Sequence, residues 1–143
     1  MSSQTTLFTT SATAHGGRTG RVTTEDNRLT LELSVPKETG GAGGDGTNPE
    51  QLFAAGYAAC FQSAMGLIGR RLKVDASAST VTGKVGLLPN GAGGYALSVE
   101  LVIAVPGAER STVQELVEKA HQVCPYSNAV RGNIDVKLTV AEA

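Results

Sequence analysis

The chain has 143 residues, 41% of them hydrophobic, enough for one folding unit with one sizeable core, and a single domain over 1–143 is expected. Twelve basic and 13 acidic residues leave a net charge of −1, and no Lys/Arg block is long enough to track phosphates, so nucleic acid is excluded as an expected partner. Aromatics at 4%, with no Trp, also argue against a base-stacking platform.

The opening residues, Met1-Ser2-Ser3-Gln4-Thr5-Thr6-Leu7, carry neither a basic nor an apolar stretch. No apolar run is read as reaching the roughly 18 residues of a membrane span, so no membrane partner and a cytoplasmic location are expected. Residues 5–14, rich in Thr with apolar positions between, read as a first strand. The segment after His15-Gly16-Gly17 turns into a short second strand, and Asp26-Asn27 makes the next turn. Leu29, Leu31, Leu33 and Val35 alternate with polar residues as a third strand ended by Pro36. The first third is thus a small antiparallel meander. Gly40 to Gly46 has neither the following Gly-Lys-Ser/Thr of a phosphate cradle nor a dinucleotide fingerprint, and reads as a flexible loop.

Asn48 as N-cap, Pro49 at N1 and Gln51 at N3 start a helix whose buried stripe is read as Leu52, Gly56, Ala59, Cys60, Ser63 and Leu67. Arg70-Arg71 complement its carboxyl end as solvated charges. Thr80 to Leu88 and Tyr95 to Val105 form a long hairpin, with Tyr95, Leu97, Val99, Leu101, Ile103 and Val105 on one face. A capping box, Ser111 with Gln114, opens a second helix that carries Val113, Leu116, Val117, Ala120, Val123 and Cys124, and Pro125 ends or bends it. Ile134, Val136, Leu138 and Val140 close the chain as an edge or inserted strand. This order of elements predicts an α+β fold, not a doubly wound sheet.

Cys60 and Cys124 are the only cysteines. In a reducing compartment they are buried thiols, metal ligands or transient redox partners, and spacing alone leaves redox chemistry and simple helix-seam packing open. His121 stands three residues before Cys124, so a partial zinc set of His121, Cys124 and Cys60, or a His-activated cysteine hydrolase, is a competing reading; a structural His near the helix end is favoured. A redox sensor without turnover is a third class, though no DNA-reading element or basic face supports it.

The contexts of both cysteines, Asn48-Pro49-Glu50-Gln51-Leu52-Phe53-Ala54-Ala55-Gly56-Tyr57-Ala58-Ala59-Cys60-Phe61 and His121-Gln122-Val123-Cys124-Pro125-Tyr126-Ser127-Asn128, resemble the organic hydroperoxide resistance proteins, a branch of the osmotically inducible protein C family. The resemblance runs from the Gly16-Gly17-Arg18 loop to Arg131-Gly132-Asn133-Ile134-Asp135, nearly the whole chain. It departs at Met65 and Val130, where other residues are more usual.

The resemblance implies antiparallel sheets packed around two main helices, in an intertwined homodimer with active sites at the subunit interface. It implies a thiol-dependent peroxidase that reduces alkyl and lipid hydroperoxides to alcohols. Cys60 would be oxidised to a sulfenic acid and Cys124 would resolve it as a disulfide. Arg18 would stabilise the thiolate and Glu50 would orient Arg18. No cofactor would be bound; the external reductant would be dihydrolipoamide on lipoylated proteins. Phe53, Phe61, Met65 and Tyr126 are candidate pocket residues for an alkyl tail. One helix cannot join Glu50 to Cys60, because ten residues span about 15 Å, so the carboxylate is expected from a second subunit or Arg18 must bridge part of the gap.

Overall fold

The computed structural model describes residues 4–142, and its contacts divide into two compact units at Pro49–Glu50. The first unit holds strands β1 (Ala12–His15), β2 (Arg21–Thr24) and β3 (Thr30–Glu32) in an antiparallel sheet of order β1-β2-β3. The meander is as expected, but its strands are shorter. Residues 4–11 stay outside the sheet and exposed, and Leu33 leaves the ladder to bridge Thr47 in parallel. The turn between β2 and β3 forms at Asp26-Asn27. Asp26 Oδ1 accepts from Thr24 Oγ1 (2.9 Å) and Arg28 N (3.0 Å), while Asn27 takes a φ of 62°, tolerated by its short polar side chain.

The glycine segment after Pro36 is more ordered than a flexible loop. Gly41 N donates to Pro36 O (3.0 Å), Gly43 N to Val35 O (2.9 Å) and Gly46 N to Ser34 Oγ (2.9 Å). These three donors bond to residues 34–36, just past β3, and tie the segment down without regular secondary structure.

The second unit places α1 (Pro49–Leu72), α2 (Arg110–Val123) and α3 (Pro125–Val130) with a sheet of order β4-β5-β6, built from β4 (Thr80–Pro89), β5 (Tyr95–Ala104) and β6 (Lys137–Val140). The β4–β5 hairpin is antiparallel, whereas β6 joins β5 in parallel, so the second sheet is mixed. The overall class is α+β, as read from the sequence. Val99, Leu101 and Ile103 of β5, with Val105 just after it, meet Tyr57, Phe61, Met65 and Ile68 of α1 and Val113, Leu116, Val117 and Ala120 of α2 in one core. The alternating face of β5 is correctly read, but Tyr95 at its start is exposed.

Three local readings are corrected. The buried face of α1 is Tyr57, Phe61, Ala64, Met65, Ile68 and Gly69; Ala59, Ser63 and Leu67 of the expected stripe are exposed. Apolar residues occur all round this Ala-rich helix, so periodicity alone did not select the face. For the same reason α1 is long and apolar enough to pass as a membrane span by length and composition, contrary to the sequence reading, although its large side chains lie in the core.

The capping box at Ser111 and Gln114 is absent. Both lie inside α2, whose N-cap is Glu109 without a side-chain cap bond. The turn at Pro106-Gly107, closed by Ala108 N to Val105 O (3.3 Å), starts the helix earlier than the box suggests.

Finally, Pro125 does more than end α2. It forces Cys124 out of the helical region (φ −66°, ψ 125°) and opens α3 at N1, where a missing N–H costs nothing.

Candidate active site

Cys60 lies in the middle of α1, partly accessible, and Cys124 lies fully buried at the α2–α3 corner; both are free thiols. Cys124 closes one helix and opens the next: its N–H reaches Ala120 O (2.9 Å) and its C=O accepts from Asn128 N (2.9 Å). The fold brings the two thiols, remote in sequence, close enough to act on each other electrostatically, and the Tyr126 backbone N–H lies close enough to act on Cys60 as well. Burial pushes the Cys60 thiol above its ordinary pKa; the Tyr126 N–H opposes this, while Cys124 raises it further. Within this unit the surroundings therefore favour the thiol, and a thiolate needs an additional positive partner.

Tyr126 reaches this position by lying across α1 at Gly56. A Cβ there would sit 2.3 Å from the Tyr126 hydroxyl oxygen, so only glycine leaves room. The Tyr126 ring packs at 5.5 Å from Tyr57 and 6.0 Å from Phe53, and Phe53 and Tyr57 stand edge to face at 6.2 Å. Of the four expected pocket residues, Phe61 and Met65 are wholly buried core and present no surface to a ligand. Phe53 and Tyr126 keep part of theirs accessible.

Beside the thiols runs a buried polar chain. Tyr57 Oη and Ser127 Oγ share a hydrogen bond of 2.6 Å, and Ser127 Oγ and His121 Nδ1 share another of 2.8 Å. Burial, helped by the nearby Arg131, holds the imidazole below its usual pKa. Arg131 also donates to His121 O (2.6 Å) and Asn128 Oδ1 (2.5 Å), strapping the end of α2 to α3. Among the described residues no group of three His, Cys, Asp or Glu side chains is placed to hold a metal. Sequence reasoning missed Tyr57, Ser127 and Arg131. Ser127 carried no signal, but Tyr57 stands one turn before Cys60, a spacing that marks a helix neighbour.

Arg18 occupies the centre of a 3-10 turn, Gly17–Thr19, in the first unit. Gly16 (φ 78°) and Gly17 (φ 57°) supply left-handed backbone, and a Cβ at Gly20 would fall 1.7 Å from His15 O. Thr19 Oγ1 ties back to Gly16 O at 3.1 Å, so the loop that presents Arg18 has a defined shape. Glu50 is in the first turn of the unbroken α1, which leaves it about 15 Å along the axis from Cys60. A groove of about 370 Å³ between α2 and β6, lined by Arg110, Gln114, Val117 and Leu138 among others, involves neither cysteine.

A two-cysteine site on this α+β framework matches a known class. Residues 41–139 fit the family model described as OsmC-like protein. The chain is 56% identical over 139 residues to an organic hydroperoxide resistance protein of Xanthomonas axonopodis pv. citri, covering 94% of this chain and 95% of that one. Among crystal structures, the organic hydroperoxide resistance protein of Elizabethkingia anophelis superposes with a TM-score of 0.92 at 51% identity, over 98% of this chain and all (100%) of that one. A putative organic hydroperoxide resistance protein of Vibrio cholerae, solved with captopril in one of its active sites, gives 0.90 at 55% identity, over 97% and 95% of the two chains. The chain belongs to the OsmC-like family and, within it, to the organic hydroperoxide resistance proteins.

Proposed function

We propose that this chain is a thiol-dependent peroxidase, one domain over 1–143, that reduces alkyl and lipid hydroperoxides to alcohols. The observation that carries the reading is the meeting of Cys60 and Cys124 as two free thiols across α1 and the α2–α3 corner. The names of the relatives support the substrate class.

The Cys60 thiolate attacks the distal peroxide oxygen; an S–O bond forms, the O–O bond breaks, and the alkoxide leaves with a proton as the alcohol. Cys124 then attacks the sulfenic sulfur. An S–S bond forms, the S–O bond breaks, and hydroxide leaves with the Cys124 proton as water. An external dithiol, dihydrolipoamide on a lipoylated protein, returns both thiols, with no bound cofactor. Arg18 supplies the cation that offsets the buried environment of Cys60, and Glu50 orients it through a paired, charge-assisted hydrogen bond. Phe53 and Tyr126 offer apolar surface to an alkyl tail, favouring it over small, hydrophilic hydrogen peroxide. The protein acts as a cytoplasmic homodimer, with Glu50 of one subunit serving the thiols of the other; the exposed small residues Ala59 and Ser63 on α1 are consistent with a close partner.

Steady-state assays with an alkyl hydroperoxide and with hydrogen peroxide, each supplied with dihydrolipoamide or with thioredoxin, test the reading. Fast turnover is expected only for the alkyl hydroperoxide with dihydrolipoamide. Equal rates in wild type and Cys60→Ser would remove the assignment.

A further inference from the structure

Three features converge on the corner that carries Cys124. Ser127, fully buried, shares hydrogen bonds on both sides, with Tyr57 of α1 at 2.6 Å and with His121 of α2 at 2.8 Å. Arg131 closes the outside of the corner through His121 O and Asn128 Oδ1. Cys124 is midway between His121 and Ser127 in sequence, three residues from each, at the one point where the helical backbone is broken. A buried hydroxyl with two partners on different elements is costly to leave unpaired, so this chain fixes α3 against both longer helices.

We propose that Ser127 is a positioning residue which, through Tyr57 and His121, holds the α2–α3 corner so that Cys124 faces Cys60, and so sets the rate of disulfide closure. This rests on the peroxidase reading for its biological consequence but not for its geometry. A Cys60 sulfenic acid has two fates. Cys124 can attack it, releasing water, or the sulfenate sulfur can attack the distal oxygen of a second hydroperoxide, releasing alcohol and leaving a sulfinic acid. A corner that holds Cys124 in place favours the first fate and protects Cys60 from irreversible oxidation.

The test begins without peroxide. Ellman's reagent reacts first with the accessible Cys60, releasing one thionitrobenzoate and forming a mixed disulfide. Cys124 then displaces the second thionitrobenzoate in a unimolecular phase that reports closure alone. In Ser127→Ala and His121→Ala this second phase is expected to slow about tenfold, roughly the loss of one net hydrogen bond of ~1.4 kcal/mol, while the first phase changes less than about twofold. His121→Asn, whose carboxamide can still reach Ser127, is expected to restore most of the rate, and Tyr57→Phe, which removes only the hydroxyl and keeps the core volume, to slow it. A second phase within twofold of wild type in Ser127→Ala, His121→Ala and Tyr57→Phe overturns the proposal, as does a faster one. With cumene hydroperoxide, the same slow variants should form Cys60 sulfinic acid, seen by intact mass, at about tenfold lower peroxide than wild type. If wild type forms no oxidised Cys60 with that peroxide, the peroxidase reading falls, and the two-phase assay still decides the role of Ser127.

Discussion

At the scale of single residues, thiolate formation at Cys60 is decided by its electrostatic surroundings. Its thiol is held up by burial first, with Cys124 adding to the effect and the Tyr126 N–H working against it. Arg18→Ala should raise the Cys60 pKa further and slow the peroxide step by roughly tenfold or more, the loss of a charge-assisted contact of ~1.5–3 kcal/mol. Arg18→Lys should rescue only in part, because an ammonium lacks the planar fork. Alkylation rates measured across pH check both; an unchanged Cys60 pKa in Arg18→Ala removes Arg18 from this role. His121 gives a second prediction. Burial, with Arg131 near, keeps its folded pKa below the ordinary value, so the unfolded chain binds a proton first as pH falls. Its contribution to stability is full above about 6.5, the usual imidazole value, and is lost as pH drops from there through the folded pKa. Urea unfolding at pH 7.5 and pH 5 should show a smaller loss in His121→Asn than in wild type, and equal losses would contradict the assignment.

At the scale of elements, the meeting of α1 with the α2–α3 corner is set by Gly56 and Pro125. Gly56→Ala adds helix propensity of about 1 kcal/mol, but its Cβ would collide with the Tyr126 hydroxyl in a ring already packed against Phe53 and Tyr57. Overpacking of this kind costs about 1–3 kcal/mol, so a net loss of up to about 2 kcal/mol is expected, with a higher Cys60 pKa as the Tyr126 N–H is displaced. Tyr126→Phe in the same chain should recover part of the stability. Chemical denaturation of the two single variants and the double variant measures that coupling, and strict additivity would show that Gly56 and Tyr126 do not meet.

These elements also mark how far the sequence could be read. Alternation exposed β5, and Pro49 exposed the start of α1, because each signal is local. The face of α1 was misread because Ala, Gly and Ser fill most of its positions, and a core of Tyr57, Phe61 and Met65 is chosen by what β5 and α2 place opposite. The pairing of β6 beside β5 is likewise a long-range choice, with no trace in Ile134 to Val140. Cys60 and Cys124 stood out by residue type, but the hydroxyl of Ser127 has no such signature, since its role comes from two partners on other elements.

At the scale of the whole molecule, the separation of Glu50 from Cys60 along one continuous helix is the physical reason to expect shared sites. Co-refolding Cys60→Ser with Glu50→Ala subunits should then regenerate activity from two inactive parents, because one site of the mixed dimer is intact. No recovery, or a monomeric mass by light scattering, would place each site within one chain and leave Arg18 alone to activate the thiol. The central claim, that Cys60 and Cys124 form one redox pair, has a more direct test. The fully reduced protein is mixed with one equivalent of an alkyl hydroperoxide, and thiols, alcohol and intact mass are measured together. The account predicts one equivalent of alcohol, loss of both thiols, a mass lower by the two hydrogens of a disulfide, and a Cys60–Cys124 cross-linked peptide after digestion. Two surviving thiols, or oxidation that spares the pair, would contradict it.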